Sequence, residues 1–201
     1  MQKLSSLRSI PPAAALITLP QARSQVRWDG DADTEVNDNL SLLIEVAMSH
    51  LDGTEGILGR ALISQTWIDS SSGFPAGAEF QVALAPLISV SAITYYDSEN
   101  ALQTLDASSY GVFDRYDGGY AKLRSGQSWP STYTRDDAVS VAYVAGYGSA
   151  AADVPATIRL AALELIAHWF ENREAVLVGA TSSEIPLGIA RLLSPHIRPK
   201  F

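Results

Sequence analysis

PATIRLAALELIAHWFENREA, residues 155–175, is the stretch on which the fold turns. Pro155 suits a first helical turn, where its missing N–H costs nothing, and Ile158, Ala162, Leu165 and Trp169 recur at helical spacing. Ala161, Ile166 and Phe170 widen that stripe, while Glu164, His168, Glu171 and Asn172 fall on the opposite side. At 1.5 Å per residue such a helix spans roughly 30 Å, enough to be the spine of a small domain. A broad apolar face of this kind must be buried, so other elements have to surround it.

Upstream, residues 18–28 (TLPQARSQVRW) offer Thr18 as a cap, Pro20 in the first turn, and Leu19, Ala22 and Val26 on one face. After the acidic turn DGDAD, residues 34–50 set Val36, Leu40, Leu43 and Ala47 in line with Leu51, with Asp33 or Thr34 as cap and Gly53 or Gly56 as stop. Residues 1–17 have little periodicity and carry Pro11 and Pro12, which predicts an extended arm. From Ala61 the period changes from 3.6 to 2, in ALISQTWID, EFQVALA and SVSAITYYD, and later in YGVFD, YAKLR and AVSVAYVAGYG. Turn residues at 97–100 and 117–119 favour hairpins, so a largely antiparallel sheet of about six strands is expected. The end of the chain predicts one short helix over residues 186–193 and a basic tail broken by prolines. Helices flanking a β-rich block make this an α+β chain.

The totals bound the function. With 201 residues the chain is one domain, or a core with an inserted subdomain, and it has no cysteine for a disulfide or a thiolate metal site. Pro11 and Pro12 interrupt the apolar N-terminal run, and no run reaches the length of a membrane span, so a soluble chain without a membrane partner is expected. A net charge of −8 and a pI near 4.8 argue against a protein that grips phosphate backbones, yet an acidic wall suits DNA sliding past.

Each motif suggestive of chemistry has a plainer reading. Asp29, Asp31 and Asp33 open like a calcium loop, but Thr34 and Leu40 occupy the places of its glycine and its bidentate glutamate, which leaves a turn capping the second helix. Gly146, Gly148 and Ala151 imitate a pyrophosphate-binding turn, but Asp153 and Pro155 start the helix too late for one. His50, His168 and His196 lack metal-ligand spacing, and no serine sits in a nucleophile elbow. Asp114 and Asp117, beside Tyr116 and Tyr120, have the composition of a glycosidase pair, but carboxylates in a glycine-rich turn are usually just solvated. No catalytic residue, metal or cofactor is therefore expected. In the tail, Leu192, Leu193, Ile197 and Phe201 alternate with Pro195, Arg198, Pro199 and Lys200, a segment with little means of burying itself. It reads either as a disordered end or as a peg for a partner's groove.

Several stretches taken together resemble the head–tail connector family of tailed bacteriophages, the adaptor or head-completion proteins. They are Leu19-Pro20, the acidic turn before the second helix, Gly59-Arg60-Ala61-Leu62, Gln65-Thr66-Trp67, and Leu84-Ala85-Pro86-Leu87 ahead of Tyr95-Tyr96-Asp97. Trp129-Pro130, Val144-Ala145-Gly146-Tyr147-Gly148, Val154-Pro155, the run from His168 to Glu174, and Ile185-Pro186 continue the series along almost the whole chain. The departure from the pattern is a longer turn, GTEGIL, before Arg60.

The resemblance implies a small helical bundle, made of two N-terminal helices, the long helix and the short last helix, carrying a β-rich, mainly antiparallel insertion. The corresponding segments are 1–17 (arm), 18–59 (helical core), 60–150 (β-rich insertion), 151–185 (long helix and loop) and 186–201 (short helix and docking tail). It also implies a non-enzymatic virion protein, made in the bacterial host cytoplasm. Its expected place is a dodecameric ring under the portal, at the head–tail junction, where it extends the DNA channel without binding DNA specifically and carries the stopper or tail. Leu192, Leu193, His196, Ile197, Arg198 and Phe201 would meet the portal. A closed ring needs two different complementary faces per subunit, for which Arg60, Arg159, Arg173 and Glu174 are candidates, as they are for solvated helix ends. The alternative is a β-rich binding module for carbohydrate or protein, using Tyr116, Tyr120, Trp129 and Tyr133.

Overall fold

The computed structural model describes residues 5–29, 33–115, 118–172 and 186–198. Its helices are α1 (Leu19–Gln25), α2 (Thr34–Leu51), α3 (Ala156–Glu171) and α4 (Leu187–Leu193). In α3 the expected stripe is realised: Ile158, Ala161, Ala162, Leu165 and Ile166 are all buried. Pro155 stands one position before the first helical residue, and its carbonyl accepts from the N–H groups of Ile158 at 3.0 Å and Arg159 at 3.2 Å. The last turn closes at Asn172, whose N–H donates to the His168 carbonyl at 3.0 Å. Residues 173–175 of the predicted helix lie outside the described residues.

The upstream helices start where their caps direct. The Thr18 N–H donates to Gln21 Oε1 at 2.8 Å, and Asp33 Oδ1 accepts from the Val36 N–H at 3.1 Å, so each helix start has an orphan donor satisfied. Helix α2 ends at Leu51, and Gly53, with φ +86°, turns the chain away. Ala22 of α1, Leu40, Ala47 and Leu51 of α2, and Ile189 and Leu193 of α4 join the α3 stripe in one helical core.

Eight strands are described, rather than about six: β1 (Ser5–Ile10), β2 (Gln65–Ser71), β3 (Glu79–Gln81), β4 (Leu87–Tyr96), β5 (Leu102–Thr104), β6 (Tyr110–Phe113), β7 (Tyr120–Leu123) and β8 (Val139–Ala145). They form a five-stranded sheet, order β1-β2-β8-β4-β5, and a three-stranded sheet, order β3-β7-β6, with every ladder antiparallel. The expectation of hairpins holds only for β4–β5 and β6–β7. The central strand β8 arrives last and inserts between β2 and β4, so much of the sheet is joined over long sequence separations. The expected N-terminal arm also differs: residues 5–10 pair with β2, and Leu16 and Ile17 are buried in the helical core, so an unperiodic sequence is held by its neighbours.

A second core lies under the inner face of the larger sheet. Trp67, Ile93, Val141 and Tyr143 pack there against Phe80 and Ala121 of the smaller sheet. Period 2 runs cleanly through β2 and β8, which bury alternate residues from end to end. Between β8 and α3, Gly146 (φ +142°) passes so close to the 63–64 backbone that an added Cβ would lie 2.6 Å from the Ser64 nitrogen. Close packing explains the glycines that imitated a phosphate turn: Gly146 abuts the 63–64 backbone, and Gly148 leaves room for the Asp153 side chain.

Because Leu165 is fully buried and Leu160 on the same helix is 43% exposed, the two should respond differently to truncation. Leu165→Ala is expected to lose about 2–5 kcal/mol in urea unfolding and Leu160→Ala no more than about 0.5 kcal/mol. Equal losses would contradict this assignment of the α3 face.

Candidate functional site

The segment between α2 and β2 ties the helices to the sheets. Asp52, 5% exposed, accepts from the Leu62 N–H (2.7 Å), from Gln65 Nε2 (2.9 Å), and from Arg8 Nη2 of β1 (2.7 Å). Burial pushes its carboxyl above the ordinary carboxylate value, against the pull of these donors and of the Arg8 charge. Arg8 in turn lies over the Trp67 ring, 5.0 Å from its centroid. Alongside, Gly53 N donates to the Arg60 carbonyl (2.8 Å) and Ala61 N to the Ala85 carbonyl (3.0 Å), so residues 52–62 run as a seam between helix and sheet.

The C-terminal tail closes on this seam. Arg60, a candidate for a subunit face, is only 4% exposed, and its Nε donates to the His196 carbonyl at 2.7 Å. Arg198 donates its backbone N–H to the Leu58 carbonyl at 2.9 Å, and its guanidinium reaches the carbonyls of Ala83 and Val82. The His196 ring meets the Thr157 hydroxyl of α3 at 2.7 Å, and burial, with the Arg60 charge, lowers its pKa. Leu193 is buried and Leu192 half-buried, while Ile197 is 41% exposed. The expectation that the tail has little means of burying itself is therefore corrected for residues 186–198. Sequence reading missed this because the partners, Leu58, Arg60, Ala83 and Thr157, are far away in the chain. Phe201 lies outside the described residues.

Below the tail, Asp69 is fully buried on the inner face of β2, where its Oδ2 accepts from the Ala83 N–H at 2.7 Å. Burial raises its carboxyl, and burial beside that carboxylate raises the Tyr143 hydroxyl as well, with the Arg198 charge opposing both shifts.

Several of the other residues singled out from sequence make contacts within the fold. Asp33 caps α2, and Asp31 lies outside the described residues. Asp114 Oδ1 accepts from the Leu87 N–H at 2.9 Å; Tyr116 and Asp117 lie outside the described residues. Arg159 is half-buried, with Nε donating to the Val154 carbonyl at 3.2 Å, and Arg173 and Glu174 are likewise outside. Tyr120 stacks on Phe113 (5.4 Å) with the Arg115 guanidinium over its ring (3.9 Å), and Trp129 stacks on Phe74 (4.6 Å), so each ring has a partner within the chain. Tyr133 lines a shallow, open depression with Ser72 and Thr132. His50 meets Trp169 edge-on at 6.1 Å. Among the described residues no group of three His, Asp or Glu side chains could hold a metal ion, and no helix is long and apolar enough to cross a membrane.

One feature emerges only from the strand register. On the outer face of the larger sheet, Leu7, Ile68, Ala142 and Ala92 form a transverse row across four strands. A row of hydroxyls, Ser5, Ser70, Ser140 and Thr94, runs on one side of it, and Ile10, Thr66, Val144 and Ser89 run on the other. All twelve are exposed or half-exposed, and none is charged.

No family model matches the sequence, and no curated protein matches it. Solved structures do match in shape. A chain from the "neck of empty GTA particle computed with C6 symmetry" superposes with a TM-score of 0.75 at 19% identity, over 99% of this chain and 97% of that one. The fold is the one found in that neck. A chain of the virion of a native gene transfer agent particle gives a TM-score of 0.72 at 17% identity, covering 98% and 96%. One from the neck of the native particle, computed with C12 symmetry, gives 0.65 at 16% identity, covering 99% and 97%. The neck fold thus spans the helical bundle, both sheets and the tail together.

On this fold, the buried Asp69 carboxylate should leave a mark on stability. Its folded pKa is raised, so its contribution is most favourable in acid, below the unfolded value near 4, and is lost as pH rises through the folded value. Measured against Asp69→Asn across pH 4–8, wild type should lose unfolding free energy relative to the variant as pH rises. A constant difference would mean that the group has an ordinary pKa.

Proposed function

We propose that this chain is a structural, non-enzymatic subunit at the head–tail junction of a tailed particle. In this reading it is an adaptor that forms a ring under the portal, extends the DNA channel and carries the stopper or tail. The observation that carries the reading is the shared fold with neck chains of a gene transfer agent particle over 99% of the sequence. The six- and twelve-fold symmetry used for those necks supports a closed ring of copies, which requires heterologous contacts between subunits. A net charge of −8 supports a wall that lets DNA pass without holding it.

The tail residues fit the portal-facing role in two groups. Leu193, buried, and Arg198 and His196, hydrogen-bonded to the body, hold the tail as far as residue 198 against the subunit. Ile197 is accessible, Leu192 half so, and residues 199–201 continue from there as the segment proposed to enter the portal. Arg159 is kept as a candidate for the neighbouring subunit. The binding-module alternative is less favoured because Tyr120 and Trp129 already stack within the chain.

A stop codon early in the gene of the producing strain is expected to yield separate heads and tails by negative-stain electron microscopy, with heads that fail to retain DNA. Intact tailed particles would overturn the adaptor reading. Deleting residues 199–201 should give subunits that melt like wild type yet no longer join heads. The cut falls there because a stop within α4 would remove core side chains such as Leu193.

A further inference from the structure

We infer that the uncharged outer face of the five-stranded sheet, with the free edge of β1 beside it, is the surface on which the next copy of this chain is seated in the ring. This rests on the ring reading above and names its contact. Charged residues make up 18% of the chain, and they concentrate on surfaces, yet the twelve outward positions across four strands carry none. The apolar row of Leu7, Ile68, Ala142 and Ala92 crosses the middle of this surface, and Leu7 is 67% exposed. A solvated face of an antiparallel sheet ordinarily alternates polar side chains outward, and an exposed patch with an apolar centre and no charge is often a contact surface.

Charge selects the occupant. Copies that each carry −8 repel, so two of them approach at least cost where one presents no charge to the other. The edge strand agrees. Among the described residues β1 is outermost in its sheet and no strand pairs with its other side, and its arginine, 37% exposed, reaches Asp52 on the inner side rather than standing on the outer face. Ile10, 58% exposed, extends the apolar row's flank to this edge.

Size sets how the contact works. Four strands about 4.8 Å apart, over five or six residues each, give roughly 300–400 Å². A stable pairwise interface needs about 800 Å² per partner, so the sheet face supplies roughly half. It would hold poorly between two free copies and well in a closed ring, where every subunit is gripped on both sides.

The chain has no cysteine, so one introduced thiol is a clean probe. Ala142→Cys places it mid-face at the cost of one sulfur atom. Maleimide labelling is to be compared on the purified chain and on necks of particles from a strain carrying the variant gene, with denatured necks as the reference for full reactivity. The expected result is rapid labelling of the free chain and labelling at least about tenfold slower in necks. A photo-crosslinking maleimide attached to the free chain before assembly should then give a product of twice the chain mass. Rapid labelling in native necks overturns the inference, as does slow labelling of the free folded chain, which would mean that the chain covers its own face. A crosslink to the portal or to a tail protein overturns the choice of occupant. Purified particles with no immunoreactive chain at all would instead overturn the adaptor reading.

Discussion

The helical core and the sheet core are joined at the carboxylate of Asp52. It stands at the first residue after α2 and gathers the Leu62 amide, the Gln65 side chain of β2 and the Arg8 guanidinium of β1. Four pieces of chain with separate hydrophobic reasons to fold are thereby fixed to one point. The net energy need not be large. Hydrogen bonds to a charged group are worth about 1.5–3 kcal/mol each, but removing the carboxylate from water costs several kcal/mol in return. What the arrangement contributes is uniqueness, since the helical core and the sheet core could slide on one another if only apolar contact joined them. A charged acceptor with three directed donors admits one registration.

The seam around Asp52 also explains why both ends of the described chain lie on the same ground. The N-terminal strand arrives through Arg8, and the tail returns through Arg60, Leu58 and Arg198. Arg60 is buried because it has the tail's carbonyl to serve; its backbone meanwhile bridges Asp52 on one side and Ala85 on the other. Residues 8 and 198 are thus both anchored at the junction between the two cores rather than in a loose loop.

Much of this was legible in the sequence, and the boundary is physical. Local chemistry was readable wherever it was sufficient: the α3 stripe, the Thr18 and Asp33 caps, the stop at Gly53, and period 2 in β2 and β8. Strand partnership was not, because β8 reaches β2 and β4 over long separations and no turn signal marks such a pairing. The β1 strand and the docked tail were hidden for the same reason. Ser5–Ile10 has no strand-like alternation that stands alone, and Arg198 finds its acceptors more than a hundred residues away. Asp114 was singled out as possible chemistry because a carboxylate in a glycine-rich turn looks available; it is held by the Leu87 amide.

The larger sheet then has two faces with opposite chemistry and one cause. Inward, β2 alternates Gln65, Trp67 and Asp69 toward the cores, where Gln65 Nε2 donates to Asp52 and Asp69 Oδ2 accepts from the Ala83 N–H, while Gln65 Oε1, Trp67 Nε1 and Asp69 Oδ1 find no hydrogen-bond partner among the described residues. Outward, the intervening positions are Thr66, Ile68 and Ser70, none of them charged, with the Ser70 hydroxyl meeting that of Ser140 at 3.2 Å. A chain that faced only water would usually place charge on these outward positions to stay soluble and to guard its edge. Here the charges are elsewhere, and the single arginine of the edge strand is turned inward to complete the Asp52 site. The interaction that joins the two cores thus also draws the one arginine of the edge strand, its side chain 37% exposed, toward the inner side, which leaves the outward positions Ser5, Leu7 and Ile10 of that strand without charge.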